Sequence, residues 1–352
     1  MAVPSDGREP TVRPDPGVSR TKVTISDVAA YAGVSISTVS HALSGNRTIS
    51  AATQARVREA ITALGYGANP TARSLRTGRS GIVGLILRPR DAVHGSLRGT
   101  ETFTRLSGAI ATAVLDRGIG LMHVPDILDP AAARVPMDGC IVAHPYGQDE
   151  VLAELLRRGV PVVTVEEDPD HPDFPWAVRL DYDTVLTELL DGLHARGSER
   201  IALVTGTEDN TWNRRTREIY IDWANRHEMP VRHSALYEGL GVAGAEEFIV
   251  PILADAARPD TVITGPSPFA AGIAHVAEKL GLSIPEDLML AAVTDSEFSR
   301  GNDPPITAVD LSLEDLARHA VDLMLDQLAG GPPPERPIVV QPVLHWRGST
   351  SA

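Results

Sequence analysis

The chain has little of what marks a secreted or membrane-bound protein. Its single cysteine, Cys140, excludes an intrachain disulfide and paired-cysteine zinc sites. No apolar run reaches the ~18 residues that a transmembrane helix needs, and the first twenty residues contain no apolar stretch of the kind found in secretory signals. Aromatic residues make up only 4% of the chain, so Ala, Val, Leu and Ile must fill its core. These absences predict a cytoplasmic protein without membrane contact.

Charge is distributed unevenly along the 352 residues. The net charge of −14 argues against binding to nucleic acid, but residues 1–80 carry ten basic and five acidic side chains, for a net charge of +5. The remaining residues carry −19. A basic N-terminal part on an acidic body indicates that only this part contacts a polyanion, because the body is repelled by it.

Residues 1–20 are rich in Pro, Gly and charge and predict a disordered tail, whereas residues 21–66 predict three short helices. Two helices joined by a tight glycine-containing turn, with a third helix supporting them, form a helix-turn-helix domain. The expected N-caps are Thr24, with Asp27 three residues on, Ser35 and Ser50; the expected C-terminal glycines are Gly33 and Gly65. The expected inward-facing residues are Val28, Ala29, Ala32, Val39, Leu43, Val57, Ile61 and Leu64.

Residues 67–80 predict a linker that contains a short helix. Asn69 can cap this helix, and Pro70 suits its first position. A helix of about seven residues is not stable alone, so we expect it to form only on DNA or against a partner helix.

From Gly81 onwards, apolar strand segments alternate with amphipathic helical segments. This order predicts parallel sheets covered on both faces, with ligands bound at the carboxyl ends of the strands. The predicted strands are 81–87, 120–124, 139–143, 161–165, 200–206, 261–265 and 288–293, and the predicted helices are 101–117, 149–158, 183–196, 214–227, 243–257, 268–280 and 313–328.

The segments TISDVAAYAGVSISTVSHALSGNRTIS, RVREAITALGY and ARSLRTGRS resemble the LacI/GalR family of bacterial transcription repressors, and PMDGCIV, LGLSIPEDL and the ending WRGST are similar to the family's body. The resemblance covers residue 21 to the C-terminus. It implies an all-α helix-turn-helix headpiece, a hinge helix and an α/β two-lobed, periplasmic-binding-protein-like (type I) domain with parallel sheets. It also implies a homodimer on double-stranded, pseudo-palindromic operator DNA and a small-molecule effector between the lobes. Because no hydrolase motif or metal-ligand spacing is present, we expect no enzyme activity, metal or cofactor.

The resemblance assigns DNA contacts to the second helix and to the hinge. Ile36, Ser37 and His41 match the base-reading positions, and Ser35, Thr38 and Ser40 are candidates for phosphate contacts. Many relatives have Arg where His41 stands, so the base read at that step is open. In the hinge, Ala72 and Leu75 match the residues that enter the minor groove. Asn69, Arg73 and Arg76 complete the set.

The body, residues 81–347, is expected to hold two discontinuous lobes. We place the lobe near the DNA at about 81–167 and 306–330, and the far lobe at about 178–303 and 333–347, with crossovers in three Pro-rich stretches. No leucine heptads follow Trp346, so a tetramer through a C-terminal coiled coil is not expected.

The effector site departs from that of sugar-binding relatives. The usual Arg is Thr216 here, Asn-Asp is Pro266-Ser267, Asp-Asp is Thr294-Asp295, and the usual stacking aromatic falls in the Gly239–Gly241 loop. A site that lacks these polar partners leaves sugar hydroxyls unpaired, so we expect a ligand other than a simple sugar. A slip of one residue would bring Arg215 or Arg217 to the place of Thr216. The candidate effector residues are Trp212, Thr216, Ser267, Phe269, Thr294 and Asp295.

Two alternatives stay open. The effector site is vestigial, or the chain is a dinucleotide-dependent enzyme. Gly239, Gly241 and Gly244 fit G-x-G-x-x-G before a helix, with Asp260 further on, but one such match deep in the chain is weak. No G-x-S-x-G or H-E-x-x-H pattern supports a hydrolase.

Overall fold

The computed structural model describes residues 23–44, 49–66, 78–88, 101–125, 127–129 and 135–351. They belong to two units, Met1–Gly78 and Arg79–Ala352. We call the first unit the headpiece and the second the body. The expected hinge contacts Asn69, Ala72, Arg73, Leu75 and Arg76 lie outside the described residues, as does the tail 1–20.

The described headpiece contains three helices, and the caps expected from the sequence begin and end them. The Thr24 amide donates to Asp27 Oδ2 at 2.8 Å, and Ser50 Oγ accepts from the Thr53 amide at 3.3 Å. Gly33 and Gly65 end two of the helices in left-handed conformation, with φ of 63° and 60°. The helices are α1 Ile25–Ala32, α2 Ile36–Ser44 and α3 Ala51–Leu64.

A small apolar core holds these helices together. Val28 and Val39 are fully buried where α1 meets α2, which is the arrangement that the sequence predicts. Leu43, expected to face inward, is 42% exposed instead, because the inward positions of this short helix are filled by Val39 and Ala42. The buried core residues are Val28, Ala29, Ala32, Val39, Val57 and Ala60.

The body contains two six-stranded sheets, which we call the first and second sheets and whose surroundings we call the first and second lobes. The strands of the first sheet are all parallel, and the second is parallel except for one antiparallel edge strand. In spatial order, the first sheet consists of β11 Ile338–Val340, β5 Ala177–Leu180, β4 Val162–Val165, β3 Gly139–Ala143, β1 Ile82–Leu87 and β2 Gly120–His123. The second consists of β12 Val343–His345, β10 Thr307–Asp310, β9 Met289–Ala292, β8 Thr261–Thr264, β6 Ile201–Thr205 and β7 His233–Ala235.

Helices cover both faces of the sheets, so the central strands are buried throughout and read as continuous apolar runs. Among the described residues, no helix is long and apolar enough to span a bilayer. The helices of the body are α4 Glu101–Leu115, α5 Glu150–Arg157, α6 Tyr182–Ala195, α7 Thr211–Arg226, α8 Gly241–Leu253, α9 Ser267–Lys279, α10 Glu297–Arg300 and α11 Leu313–Leu328.

The lobe boundaries expected from the sequence are wrong at three places. Strand β5 belongs to the first sheet, β10 to the second and β11 to the first. The chain therefore changes sheets between β5 and β6, at residues 311–312 and at residues 341–342, and not in the Pro-rich stretches. These strands are three or four residues long, too short to give a recognisable apolar run. Ser312 Oγ donates to the Gln341 carbonyl at 3.0 Å, so two crossovers are bonded to each other.

Candidate functional site

One face of α2 in the headpiece is exposed to solvent and carries both polar and apolar side chains. Val39 is fully buried, whereas Ile36 is 51% exposed and Ser37 is exposed beside it. An exposed isoleucine in the first turn of a helix fits contact with base edges better than core packing. His41, five residues further on, is partly exposed at the other end of this surface.

Ser35 organises the start of α2. Its Oγ accepts from the Thr38 amide at 3.1 Å and lies 2.8 Å from the hydroxyls of both Ser37 and Thr38. Three hydroxyls therefore cluster beside the backbone amides of the helix N-terminus. Such a surface is suited to phosphate oxygens. Ser40 is partly buried behind it.

In the body, the carboxyl ends of the two sheets face each other, and several contacts join the lobes along this cleft. On one side, the Gly147 amide donates to the Asp209 carbonyl at 2.8 Å, and Arg214 Nη1 lies 2.6 Å from Asp170 Oδ1. On another, Arg300 Nη2 lies 2.6 Å from Glu101 Oε1. The cleft is therefore held by ion pairs from both lobes.

The six expected effector residues lie on α7, on α9 and just after β9. Trp212 and Thr216 lie one turn apart on α7, and the tip of the Trp212 ring lies against the backbone of Gly265. Both carry a buried polar atom without a hydrogen-bond partner among the described residues, Trp212 Nε1 and Thr216 Oγ1. Arg215 pairs with Asp183 and Glu218.

Phe269, another predicted effector residue, is fully buried in the core that α8 and α9 form on the second sheet. Ser267 and Thr294 serve the protein's own backbone. The Ser267 amide donates to Thr294 Oγ1 at 3.1 Å, and Thr294 Oγ1 donates to the Gly265 carbonyl at 3.0 Å. The Ser267 hydroxyl lies 2.6 Å from that of Ser296, so the hydroxyls of Ser267 and Thr294 are both engaged inside the second lobe.

Asp295 is also engaged internally, by Arg347. Arg347 Nη1 and Nη2 lie 2.7 and 2.8 Å from its two carboxylate oxygens. Although burial opposes it, the hydrogen bonds from Arg347, Ser299 and Arg300 lower the pKa of Asp295 to about 2. Asp310 and His345 approach the same carboxylate, and their ligand atoms lie within 4.8 Å of one another. Two guanidinium groups already neutralise Asp295, so this cluster does not suit a cation.

Sequence reasoning missed two residues at the ends of neighbouring strands of the first sheet. His144 follows β3 and Glu166 follows β4, both in left-handed backbone conformation, with φ of 53° and 67°. Both are buried, and His144 Nε2 has no hydrogen-bond partner among the described residues. Burial lowers the pKa of His144 to about 4. Burial, with the charge of Glu167, raises the pKa of Glu166 to about 8. The only sequence signal was a polar residue directly after each apolar strand.

Comparison with known proteins identifies the two parts of the chain. Residues 24–69 match the profile of bacterial regulatory proteins of the lacI family, and residues 190–350 match that of a periplasmic binding protein-like domain. Catabolite control protein A of Priestia megaterium is 27% identical over 309 residues, 86% of this chain and 91% of its own. The HTH-type transcriptional repressor PurR of Pectobacterium carotovorum subsp. carotovorum is 26% identical over 345 residues, 93% and 97% of the two chains.

The chain therefore joins a DNA-binding domain of the lacI family of bacterial regulatory proteins to a periplasmic binding protein-like domain. Its fold agrees with this. A crystal structure of the lac repressor dimer, bound to operator and to the anti-inducer ONPF, superposes with a TM-score of 0.78, at 21% identity over 94% of this chain and all of that one. The profile match to residues 24–69 includes all of α1, α2 and α3. With this DNA-binding domain and these relatives, the chain is a DNA-binding transcriptional regulator.

The glycine-rich loop that begins at Gly239 does not lie where a dinucleotide loop is expected. It follows β7, an edge strand, whereas dinucleotides bind where central strands diverge. Glu238, just before Gly239, accepts from the Thr207 amide at 3.1 Å and from Asn213 Nδ2 at 2.8 Å. The loop thus carries a carboxylate that fastens the segment between β6 and α7.

Proposed function

We propose that this LacI-family protein represses transcription as a homodimer on pseudo-palindromic operators. The observation that carries the proposal is the exposed face of α2, where Ile36, Ser37 and His41 stand opposite the buried Val39. Residues at these positions of a recognition helix reach base edges in the major groove. Two copies related by a two-fold axis would read two half-sites, so the operator should be an inverted repeat.

The hinge, residues 67–80, would become helical when two copies meet on DNA, and Leu75 from each copy would wedge between base steps. Arg73 and Arg76 beside it would contact phosphates, with Asn69 and Ala72 completing the hinge contacts. Such an order–disorder element gives an effector a means of control: a ligand that shifts the lobes nearest the DNA would separate the hinge helices and lower DNA affinity.

The effector would bind between the lobes, at the facing strand ends, and would not be a simple sugar. The internal bonds of Ser267, Thr294 and Asp295 leave few polar groups there for sugar hydroxyls. The protein would act in the cytoplasm, on the bacterial nucleoid, where operator DNA lies.

The experiment is selection of binding sites from random double-stranded DNA with the full chain. The proposal expects enrichment of one inverted repeat, bound by two copies with an affinity that falls steeply with salt. Recovery of unrelated sequences, or binding of one copy to a site without two-fold symmetry, would overturn it. Mapping the selected operators in the genome then shows whether they overlap promoters, as repression requires.

A further inference from the structure

A set of buried polar atoms lines the cleft where the first sheet ends. The His144 amide donates to the Val165 carbonyl and the Glu166 amide to the Val178 carbonyl, both at 2.8 Å, so His144 and Glu166 end adjacent strands at one level. His144, Glu166 and Thr216 are each more than nine-tenths buried. Buried polar atoms in folded proteins are nearly always paired, with protein, water or ligand.

Two contacts bring the first turns of α7 against these strand ends. Thr211 Oγ1 donates to the Glu167 carbonyl at 2.8 Å, and Arg215 Nη2 lies 2.7 Å from Asp183 Oδ1. Trp212 and Thr216 follow Thr211 and Arg215 directly in sequence, on the turns of α7 that make these contacts. Trp212 Nε1, Thr216 Oγ1 and His144 Nε2 are all buried without a partner among the described residues.

The charges around this cluster are unbalanced. One oxygen of Glu166 accepts from the Leu180 amide at 3.1 Å, and the Tyr182 hydroxyl lies beside the carboxyl, but no basic side chain is paired with it among the residues described. Four arginines of this region are each engaged by another carboxylate: Arg179 by Glu167, Arg215 by Asp183 and Glu218, Arg214 by Asp170 and Asp209, and Arg88 by Asp149.

This pattern disfavours an anionic ligand and favours a cationic one. An anion would lie beside Glu166 and Glu167 with no uncommitted cation, among the described residues of these strand ends, to receive it. A protonated amine would give Glu166 a counter-charge and so favour the ionised carboxylate, which burial otherwise disfavours. Aromatic rings stand close by, with Trp212 on α7 and Phe103 edge-on to His144 at 5.6 Å between ring centroids. Such rings attract organic cations.

We propose that the effector of this regulator is a small organic amine that binds as its ammonium form beside Glu166, with its apolar part against Trp212. This inference rests on the effector site of the proposed function and names its ligand class. The amine's N–H groups pair with the Glu166 carboxylate and Thr216 Oγ1. Trp212 Nε1 and His144 Nε2 form hydrogen bonds with polar atoms elsewhere on the ligand.

The test is thermal unfolding of the full chain with matched probes. Three apolar groups (benzyl, cyclohexylmethyl and n-pentyl) are each supplied as the amine, the alcohol and the carboxylate. The expected result is that at least one amine raises the unfolding midpoint by roughly 2–4 °C when well above its Kd. The matching alcohol should act more weakly, and the carboxylate should not act.

Two variants locate the effect. Glu166→Gln keeps the shape of the side chain and should abolish the preference for the amine. Glu314→Gln, which changes an exposed carboxylate paired with Arg105, should keep it. The inference is overturned if no amine stabilises the protein, if carboxylates stabilise it most, or if Glu166→Gln responds like the original chain. DNA binding measured on the same preparations separates this failure from failure of the proposed repressor function.

Discussion

Arg347 holds Asp295 through two parallel hydrogen bonds across 52 positions of sequence, which ties the C-terminal segment to the end of β9. The Asp295 side chain is 5% exposed and that of Arg347 18%, so the pair is largely shielded from water. Breaking such a pair leaves a carboxylate that is poorly solvated, at a cost much larger than that of a surface pair.

We therefore expect Arg347→Met to lower the free energy of unfolding by about 2–4 kcal/mol. The matched control is Arg318→Met, because Arg318 pairs with Asp315 where both side chains are at least half exposed. That change should cost less than about 0.5 kcal/mol. Urea unfolding of the three proteins measures both values. Equal midpoints for the two variants would show that the Arg347–Asp295 pair stabilises the protein no more than an exposed ion pair does.

The buried carboxyl of Glu166 predicts a pH-dependent stability. Its pKa in the folded protein is about 8, above the ordinary value of 4.5. The folded state therefore prefers the protonated acid, and this contribution is complete below pH ~4.5 and is lost as pH rises towards 8. Glu166→Gln does not ionise, so its stability relative to the original chain should rise by about 2–4 kcal/mol between pH 5 and pH 8.

His144 acts in the opposite direction, since its lowered pKa of about 4 makes folding less favourable as pH falls below 6.5. Because His144 is present in both proteins, its effect cancels in the comparison. Denaturant unfolding at four pH values gives the difference. If the stability difference between the two proteins stayed constant across this range, Glu166 would be ionised in the folded state.

A leucine in the hinge should control DNA bending. We expect Leu75→Ala to remove most of the operator bend and to weaken binding, because the smaller side chain does not wedge between base steps. Dimerisation should not change. Arg76→Ala is the control, since loss of a phosphate contact should weaken binding to all sequences and reduce the salt slope by about 1. Bend angles come from the mobility of circularly permuted operator fragments, and equal bends in Leu75→Ala and the original chain would refute the wedge.

The effector cleft should not bind simple sugars tightly. Titration calorimetry with common mono- and disaccharides is expected to show no micromolar binding, because the resemblance puts Thr216 in place of the usual Arg and the hydroxyls of Ser267 and Thr294 are internally bonded. Micromolar binding of any one sugar that Thr216→Ala abolishes would identify an ordinary sugar site.

Local signals in the sequence predicted the headpiece well. The pairing of Thr24 with Asp27, the Ser50 cap and the left-handed Gly33 all depend on residues within one helical turn, so spacing alone revealed them. The central strands were equally evident, because a strand buried on both faces is an unbroken apolar run.

Interactions between distant segments were not predictable in this way. The strands β10, β11 and β12 are short, and only pairing across the sheet defines them. The inward direction of Phe269 depends on how α9 packs against α8. From the sequence, Asp295 was predicted to contact a ligand, because its partner, Arg347, lies 52 positions further along the chain. Glu166 gave no signal beyond its place after a strand, since its burial depends on several segments that meet there.

The most direct test of the central claim, sequence-specific recognition of DNA by α2, compares the original chain with His41→Ala. Both proteins are titrated on the selected operator and on variants that change each base pair of the half-site in turn. Recognition through α2 predicts that His41→Ala loses preference at one base pair of each half-site, worth about 1–3 kcal/mol, and keeps it elsewhere. An unchanged preference at every base pair would contradict the assignment of α2 as the reading helix.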